Sequence, residues 1–112
     1  MNGIGGNVKA VIETPSVYPN AIGEHVTTYK QAQLLFGFLD LATGGVTYSS
    51  YNAKIVESTH VFICDYVPLA KGVTAENARM IIDGQTYDVT YIDDPMGLHA
   101  QLEIYLKFTG GR

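Results

Sequence analysis

The chain of 112 residues has no tryptophan, one cysteine and few charged residues. The one cysteine, Cys64, cannot form an internal disulfide, which fits a reducing compartment. Charged residues make up only 16% of the chain, against the roughly 25% that is usual for soluble domains. We therefore expect that partners cover part of the surface.

An excess of positive charge is also missing. The net charge is −4 and the pI is near 5.1. A protein that binds nucleic acid through its phosphates normally carries a basic stripe, so the sequence disfavours a nucleic-acid-binding protein of this kind. It does not disfavour a protein past which DNA slides without binding. No basic segment or long apolar run follows Met1, so we expect neither a signal peptide nor a transmembrane helix. The pattern indicates a chain used in a cytoplasm or exported only inside a larger particle.

Residues that could carry chemistry are scattered. His25, His60 and His99 lie far apart and lack the spacing of zinc ligands. Cys64 lies among aromatic residues of a predicted strand, where an inert buried thiol is more common than a nucleophile. The pair Asp93–Asp94 lacks the alternating ligands of a calcium loop. We expect no enzymatic activity, no metal site and no cofactor.

Twelve glycines and eight tyrosines are typical of a turn-rich β protein. Apolar residues alternate with polar ones in segment 8–13, which predicts a half-buried strand. Pro15 and Pro19 then predict an irregular stretch, and we expect segment 21–30 to be a loop with at most a short turn. Over the whole chain, residues 1–112, we predict a single domain that is mainly β. Its expected form is a small antiparallel β-barrel or rolled sheet of five to six strands, with a long loop and at most one short helix.

The most apolar segment alternates between two directions, with Leu34, Phe36 and Phe38 pointing one way and Leu35 and Leu39 the other. Because both directions are apolar, we expect a strand that is covered on both sides.

A segment without any charged residue follows this strand. Gly44 and Gly45 predict a flexible segment, and a loop of this length in a small domain is expected to be either functional or disordered. The predicted loop comprises Leu41, Ala42, Thr43, Gly44, Gly45, Val46, Thr47, Tyr48, Ser49, Ser50, Tyr51 and Asn52.

The last third of the chain has the clearest local signals. Asp83 and Gly84 separate the predicted strands 79–82 and 85–92, and an Asp-Gly pair suits a type I′ hairpin turn. In the final strand, apolar and polar residues alternate from Gln101 onward, which predicts one buried and one wet face.

These segments occur in an order that resembles the phage head-closure and head–tail joining proteins. In that family, a strand such as 58–66 precedes an R-I-x-x-x-G-x-x-Y-x-V hairpin, which 79–89 matches except for Met80 in place of Ile. A short connection such as 92–95 and a final amphipathic strand such as 102–106 follow. The resemblance covers residues 32–109 and rests on order, spacing and total length.

The resemblance implies a structural subunit of a homo-oligomeric ring in the virion neck, assembled in the host bacterial cytoplasm. Such rings bind portal or adaptor proteins on the head side and tail-completion or tail-terminator proteins on the tail side, and phage DNA passes through without sequence recognition. No membrane is involved. Segment 41–52 matches a loop that acts as a channel stopper in some members. Leu35, Leu39 and Tyr105 are expected to face away from the core and to contact neighbouring subunits.

Two alternatives stay open. The first is a tail-completion or tail-terminator subunit, which is also a small β protein. The second is a barrel that binds a ligand or single-stranded DNA, in which Tyr48 and Tyr51 would stack on bases. The acidic pI and the lack of basic residues in segment 41–52 count against nucleic-acid binding.

Overall fold

The computed structural model describes residues 6–41 and 58–111, and it is mainly β, as predicted. No α-helix is present in these two ranges. The elements are β1 (Val8–Pro19), β2 (His25–Leu41), β3 (His60–Asp65), β4 (Arg79–Ile82), β5 (Gln85–Asp93), a 3-10 turn (Pro95–Gly97) and β6 (Gln101–Gly111).

The six strands form one antiparallel sheet that closes on itself in the order β1-β2-β3-β6-β5-β4. The closing seam joins β1 to β4, with Ala10 opposite Ile82. The ring is irregular, because β1 and β2 are much longer than β4 and because register shifts interrupt the β1–β2 and β5–β6 pairs.

Alternate residues of each strand fill the interior of the ring. On β6, Leu102, Ile104 and Leu106 are buried, as the alternation predicts. Residues 66–78, which connect β3 to β4, then pack against this core and bury Val73 and Ala78. The largest fully buried side chains are Phe62, Ile12, Met80, Ile104, Leu106 and Cys64.

The antiparallel order sorts the connections between two ends of the barrel. One end, here called the turn end, contains the Asp83–Gly84 turn and the point where Leu41 pairs with His60. Asp83 and Gly84 have φ of 55° and 75°, the positive values that a type I′ turn requires, so the predicted hairpin is confirmed. The opposite, arm end contains the 3-10 turn and the β1–β2 hairpin.

The β1–β2 hairpin is much longer than predicted. Residues 14–30 form a two-stranded arm whose strands pair only with each other among the described residues, since β4 accompanies β1 no further than Glu13. The prediction of an irregular stretch around Pro15 and Pro19 is therefore wrong, and the loop predicted at 21–30 is limited to the turn at 20–24, since residues 25–30 belong to β2. Proline is tolerated here because each arm strand has an open edge, where a missing N–H disrupts no ladder.

The predicted outward direction of Leu35 is also wrong. Leu35 is only 4% exposed and lies opposite Ala10 in the core, and Leu39 is partly buried against the same core. Tyr105 is half-buried and alternates with core residues of β6. Both directions of the β2 segment are apolar, so alternation alone could not identify the inner one, and a shift by one residue exchanges the two faces.

Candidate functional site

An apolar surface covers the outside of the barrel at β2. Leu34, Phe36 and Phe38 are 42%, 53% and 46% exposed, although they lie on a central strand. The register extends this surface sideways to half-buried apolar residues on β1, β4 and β3. We call the set the apolar face: Val11, Leu34, Phe36, Phe38, Ile63 and Ile81. A contiguous exposed apolar surface on a soluble domain commonly marks a protein contact.

Charged residues of both signs adjoin the apolar face. Lys9 lies opposite Phe36 on β1 and is exposed. Within residues 6–41 and 58–111, the ion pairs are Arg79–Glu13 and Asp94–His99, so Lys9 has no acidic partner there. Negative charge borders the apolar face as well, because Asp40 is exposed two residues after Phe38 on β2 and Glu103 lies opposite Ile63.

A second surface of the barrel, on β5 and β6, is acidic. Asp93 on β5 and Glu103 on β6 are direct cross-strand partners, and Asp94 follows. Burial, and then the charges of Glu103 and Asp94, raise the pKa of Asp93 above its usual value. Glu103 accepts hydrogen bonds from Gln101 Nε2 at 2.7 Å and from the Tyr105 hydroxyl at 3.2 Å.

Two tyrosine rings adjoin these carboxylates. The centroids of Tyr91 and Tyr105 are 6.3 Å apart. We call the set of Tyr91, Asp93, Asp94, Glu103 and Tyr105 the acidic face. In the closed order of strands, β5 is three positions from β2 in either direction, but Ile63 of the apolar face and Glu103 of the acidic face are direct cross-strand partners, so the two faces adjoin where β3 meets β6.

The arm presents a second exposed apolar region. Val17, Tyr18 and Ile22 near its tip are 59%, 46% and 77% exposed. At its base, a register shift between Ile12 and Glu13 marks a β-bulge, a feature that bends a strand and increases its twist.

The same base carries a polar clamp. Arg79 of β4 donates from Nε to Glu13 Oε1 at 2.8 Å, and its guanidinium carbon lies 3.6 Å from the centroid of the Tyr29 ring. The clamp thereby ties both strands of the arm to the barrel.

A cavity of about 450 Å³ opens at the turn end of the barrel. Three aromatic rings form part of its wall: His60 and Tyr87 are 5.1 Å apart, edge to face, and Tyr87 and Phe108 are 5.4 Å apart. Its lining residues are Val8, Leu39, His60, Ile82, Asp83, Gln85, Tyr87 and Phe108. The wall is suited to an apolar or aromatic group.

The one cysteine is poorly suited to act as a nucleophile. Cys64 is 2% exposed, and burial together with the charge of Asp65 raises the pKa of its thiol to about 11, so the thiolate is scarce at neutral pH. No group of three or more potential metal ligands occurs in the part of the chain that the structure describes. Nor does that part contain a helix long and apolar enough to cross a membrane.

The predicted channel segment falls outside the described residues except for Leu41, which is exposed at the end of β2. The structure does not bring the three predicted interface residues together: Leu35 is in the core, Leu39 borders it, and Tyr105 belongs to the acidic face. Sequence reasoning missed Leu34, Phe36 and Phe38 as the exposed set. The available signal was that both faces of this strand are apolar. A domain of this size is too small for a second layer that would cover the outer face, so one apolar face had to be exposed.

No family model matches the sequence, and no curated protein matches it significantly. Among solved structures, this chain is similar to the solution structure of protein SF1141 from Shigella flexneri 2a, a structural genomics target. The TM-score is 0.65 and the identity is 17%, and the alignment covers 97% of each chain. At this identity, the likeness concerns the fold alone.

Proposed function

We propose that this protein is a structural subunit of a tailed-phage neck, where it forms a ring that closes the portal channel after DNA packaging and offers the docking surface for the tail. The observation that carries the proposal is the apolar face, on which Leu34, Phe36 and Phe38 are exposed on the outside of a closed barrel. A surface of this kind is suited to permanent contact with other proteins.

The separation of the exposed apolar regions supports a role in assembly. The apolar face lies on the side of the barrel, whereas Val17, Tyr18 and Ile22 lie near the tip of the arm. A subunit of a stacked ring needs one set of contacts with its neighbours in the ring and another with the layer above or below. Two distinct apolar regions meet that need.

The charge of the chain is consistent with a channel for DNA. A net charge of −4 gives no attraction that would retain passing DNA in the lumen of a ring. The order of segments over residues 32–109, which resembles the head-closure and head–tail joining proteins, points to the same assignment.

Electron microscopy of particles from an induced parent phage that lacks this gene tests the proposal. We expect tailless heads that have lost their DNA, beside complete free tails, with both defects repaired when the wild-type gene is supplied in trans. Full, stable heads beside defective tails would instead assign the protein to tail completion or termination. Normal virions would refute both assignments.

The cavity at the turn end favours a second candidate function, the binding of a small apolar or aromatic ligand. Its aromatic wall of His60, Tyr87 and Phe108 is the specific reason. Isothermal titration calorimetry with indole and with a short oligonucleotide distinguishes a site for a small ligand from a site for single-stranded DNA. Saturable binding of indole that Phe108→Ser abolishes would favour a ligand site, whereas salt-sensitive binding of the oligonucleotide would favour single-stranded DNA.

A further inference from the structure

We infer that the edge of β2 in the arm pairs with the same edge of a second copy of this chain, so that two arms form one four-stranded sheet. The contact uses residues 25–31 and leaves the apolar face of the barrel uncovered. It goes beyond the neck assignment and does not depend on it, because it is a property of the free chain.

The direction of the backbone N–H groups in the arm follows from its tip. Asn20 N donates to Glu24 O at 2.7 Å, so these two residues form a hydrogen-bonded pair. Hydrogen-bonded and non-hydrogen-bonded pairs alternate along an antiparallel ladder. The next pair, Pro19 with His25, is therefore non-hydrogen-bonded, and so is every second pair along the unbroken register to Glu13. The N–H and C=O groups of these residues point outward, to the two edges of the arm.

Prolines block the edge of β1. The outward-facing residues of β1 beyond its pairing with β4 are Pro15, Val17 and Pro19. The two prolines have no N–H, so Val17 is the one donor among them. Proline at an exposed strand edge is a common protection against pairing with another chain. The β1 edge is thus unsuited to accept a further strand.

The edge of β2 has no such protection. Each of its outward-facing residues has both an N–H and a C=O: His25, Thr27, Tyr29 and Gln31. β3 pairs with β2 only from Gly37 onward, and among the described residues only β1 pairs with 25–31. Nearer the barrel, Gln33 donates from Nε2 to Pro68 O at 3.1 Å and accepts at Oε1 from Ala70 N at 2.7 Å, so the β3–β4 connection covers the strand there. The uncovered edge is therefore confined to the arm.

The uncovered edge of β2 is complementary to itself. Antiparallel pairing about a two-fold axis at Thr28 aligns residues 25–31 of one copy with 31–25 of the other, so every outward-facing N–H and C=O of this stretch gains a partner. The β1 edge of a second copy cannot do the same, because it contains Pro15 and Pro19. The combined sheet then ends in a proline-blocked β1 edge on both sides, so association stops at two copies.

Side chains are compatible with this register. Lys30 lies opposite Val26 of the second copy, and the two Lys30 positions are about 13 Å apart along the strands, beyond the Debye length of about 8 Å at physiological salt. Thr28 faces its own counterpart across the axis, and Thr–Thr pairs stabilise antiparallel sheets. The contact also converts two marginally stable two-stranded arms into one four-stranded sheet.

Proline substitutions test the two edges of the arm against each other. Thr27→Pro removes an outward-facing N–H of β2, and Val17→Pro removes one of β1 at the directly opposite residue. Neither breaks the β1–β2 ladder, because both residues form a non-hydrogen-bonded pair. In sedimentation velocity up to about 1 mM, we expect a wild-type dimer, a dimer weakened about tenfold or more by Thr27→Pro, and no effect of Val17→Pro. A monomeric wild type, or equal weakening by the two variants, would overturn the inference.

Amide hydrogen exchange identifies what covers the edge. We expect protection of the Thr27 and Tyr29 amides to rise with protein concentration, while the Val17 amide exchanges rapidly at every concentration. Protection of Thr27 and Tyr29 that does not depend on concentration would mean that another part of the same chain pairs with β2, and would refute the contact between copies.

A cysteine at the two-fold axis keeps the test decisive if a proline variant fails to fold. Cα atoms of a non-hydrogen-bonded antiparallel pair are about 4.5 Å apart, within the range of a disulfide. Thr28→Cys is expected to form a disulfide-linked dimer by exchange with oxidised glutathione, whereas Ser16→Cys, at its cross-strand partner on β1, is not. The native Cys64 is buried and should not react. Equal cross-linking of both variants, or cross-linking of neither, would contradict the proposed axis.

Discussion

The barrel and the arm share the strands β1 and β2, yet they are stabilised in different ways. Within the barrel, each strand has a neighbour on both sides and buries alternate side chains, such as Ile12 and Leu35, in the core. Within the arm, each strand has one neighbour among the described residues, and no arm residue is fully buried. An isolated two-stranded hairpin is only marginally stable in water. Strand length is therefore no measure of stability, and the arm depends for its stability on the contacts at its base.

The largest expected loss of stability comes from truncating a phenylalanine inside the barrel, compared with one on its outside. Phe62→Ala removes a side chain with no exposed surface, and we expect a loss of about 3–5 kcal/mol in the free energy of unfolding, because a cavity forms in a packed core. Phe36→Ala, on the apolar face, is the matched control and should cost less than about 1 kcal/mol. Urea denaturation followed by far-UV circular dichroism measures both, and equal losses would contradict the assignment of faces.

Alanine substitutions at two glycines test close packing in the barrel against backbone conformation in the arm. A Cβ on Gly37 would lie 2.2 Å from the carbonyl oxygen of Ile63, so Gly37→Ala must displace β3, at an expected cost of about 1–3 kcal/mol. Gly23, in the turn of the arm, has φ of 87° and no atom near its Cβ position. Gly23→Ala should cost about 1 kcal/mol, from backbone strain alone. Thermal unfolding of the two variants checks the order, and a smaller loss for Gly37→Ala would refute the close approach.

The clamp at the base of the arm should have a smaller and more local effect. Tyr29→Ala removes the ring under Arg79, and we expect a global loss of about 0.5–1 kcal/mol. Amide hydrogen exchange should rise in residues 14–30 and stay unchanged in β3 and β6. Tyr18→Ala, near the tip, is the control that should leave exchange at the base unaltered. Uniformly faster exchange across the barrel would mean that the arm and the barrel unfold as one unit.

The smallest expected effect depends on pH. The pKa of Asp93 is raised in the folded chain, so ionisation of its carboxyl opposes folding. The associated stability is present below the unfolded pKa and is lost as the pH rises through the folded pKa. Asp93→Asn should therefore match the wild type below about pH 4 and exceed it by about 0.2–1 kcal/mol near pH 7. Urea denaturation at both pH values measures this difference, and an advantage confined to low pH would reverse the assigned sign.

The parts of the fold that could be predicted are those that local chemistry specifies. The Asp83–Gly84 turn needs positive φ at two successive residues, and the alternation of Leu102, Ile104 and Leu106 identifies a half-buried strand, so both were found from the sequence. The mainly β class and the number of strands follow from the same signals.

The parts that could not be predicted depend on the neighbours of a strand. Pro15 and Pro19 read as strand breakers, because sequence does not show that an arm strand has an open edge. The alternation around Leu35 identified two faces but not which one the core occupies. The apolar face and the acidic face depend on the closed order of strands, which places β2 opposite β5 and which no local pattern contains.

The seam between β1 and β4 has a consequence for the time course of folding. It pairs Ala10 with Ile82, residues that are far apart in the sequence, whereas the β1–β2 and β4–β5 hairpins join segments that are adjacent in sequence. Hairpins of this kind form in about 1–10 μs, but distant pairings are delayed by the entropy of closing a long loop. The seam is therefore expected to form late, on a scale of about milliseconds to seconds. Until it closes, β1 and β4 have unpaired edges on which a nascent chain is vulnerable to aggregation.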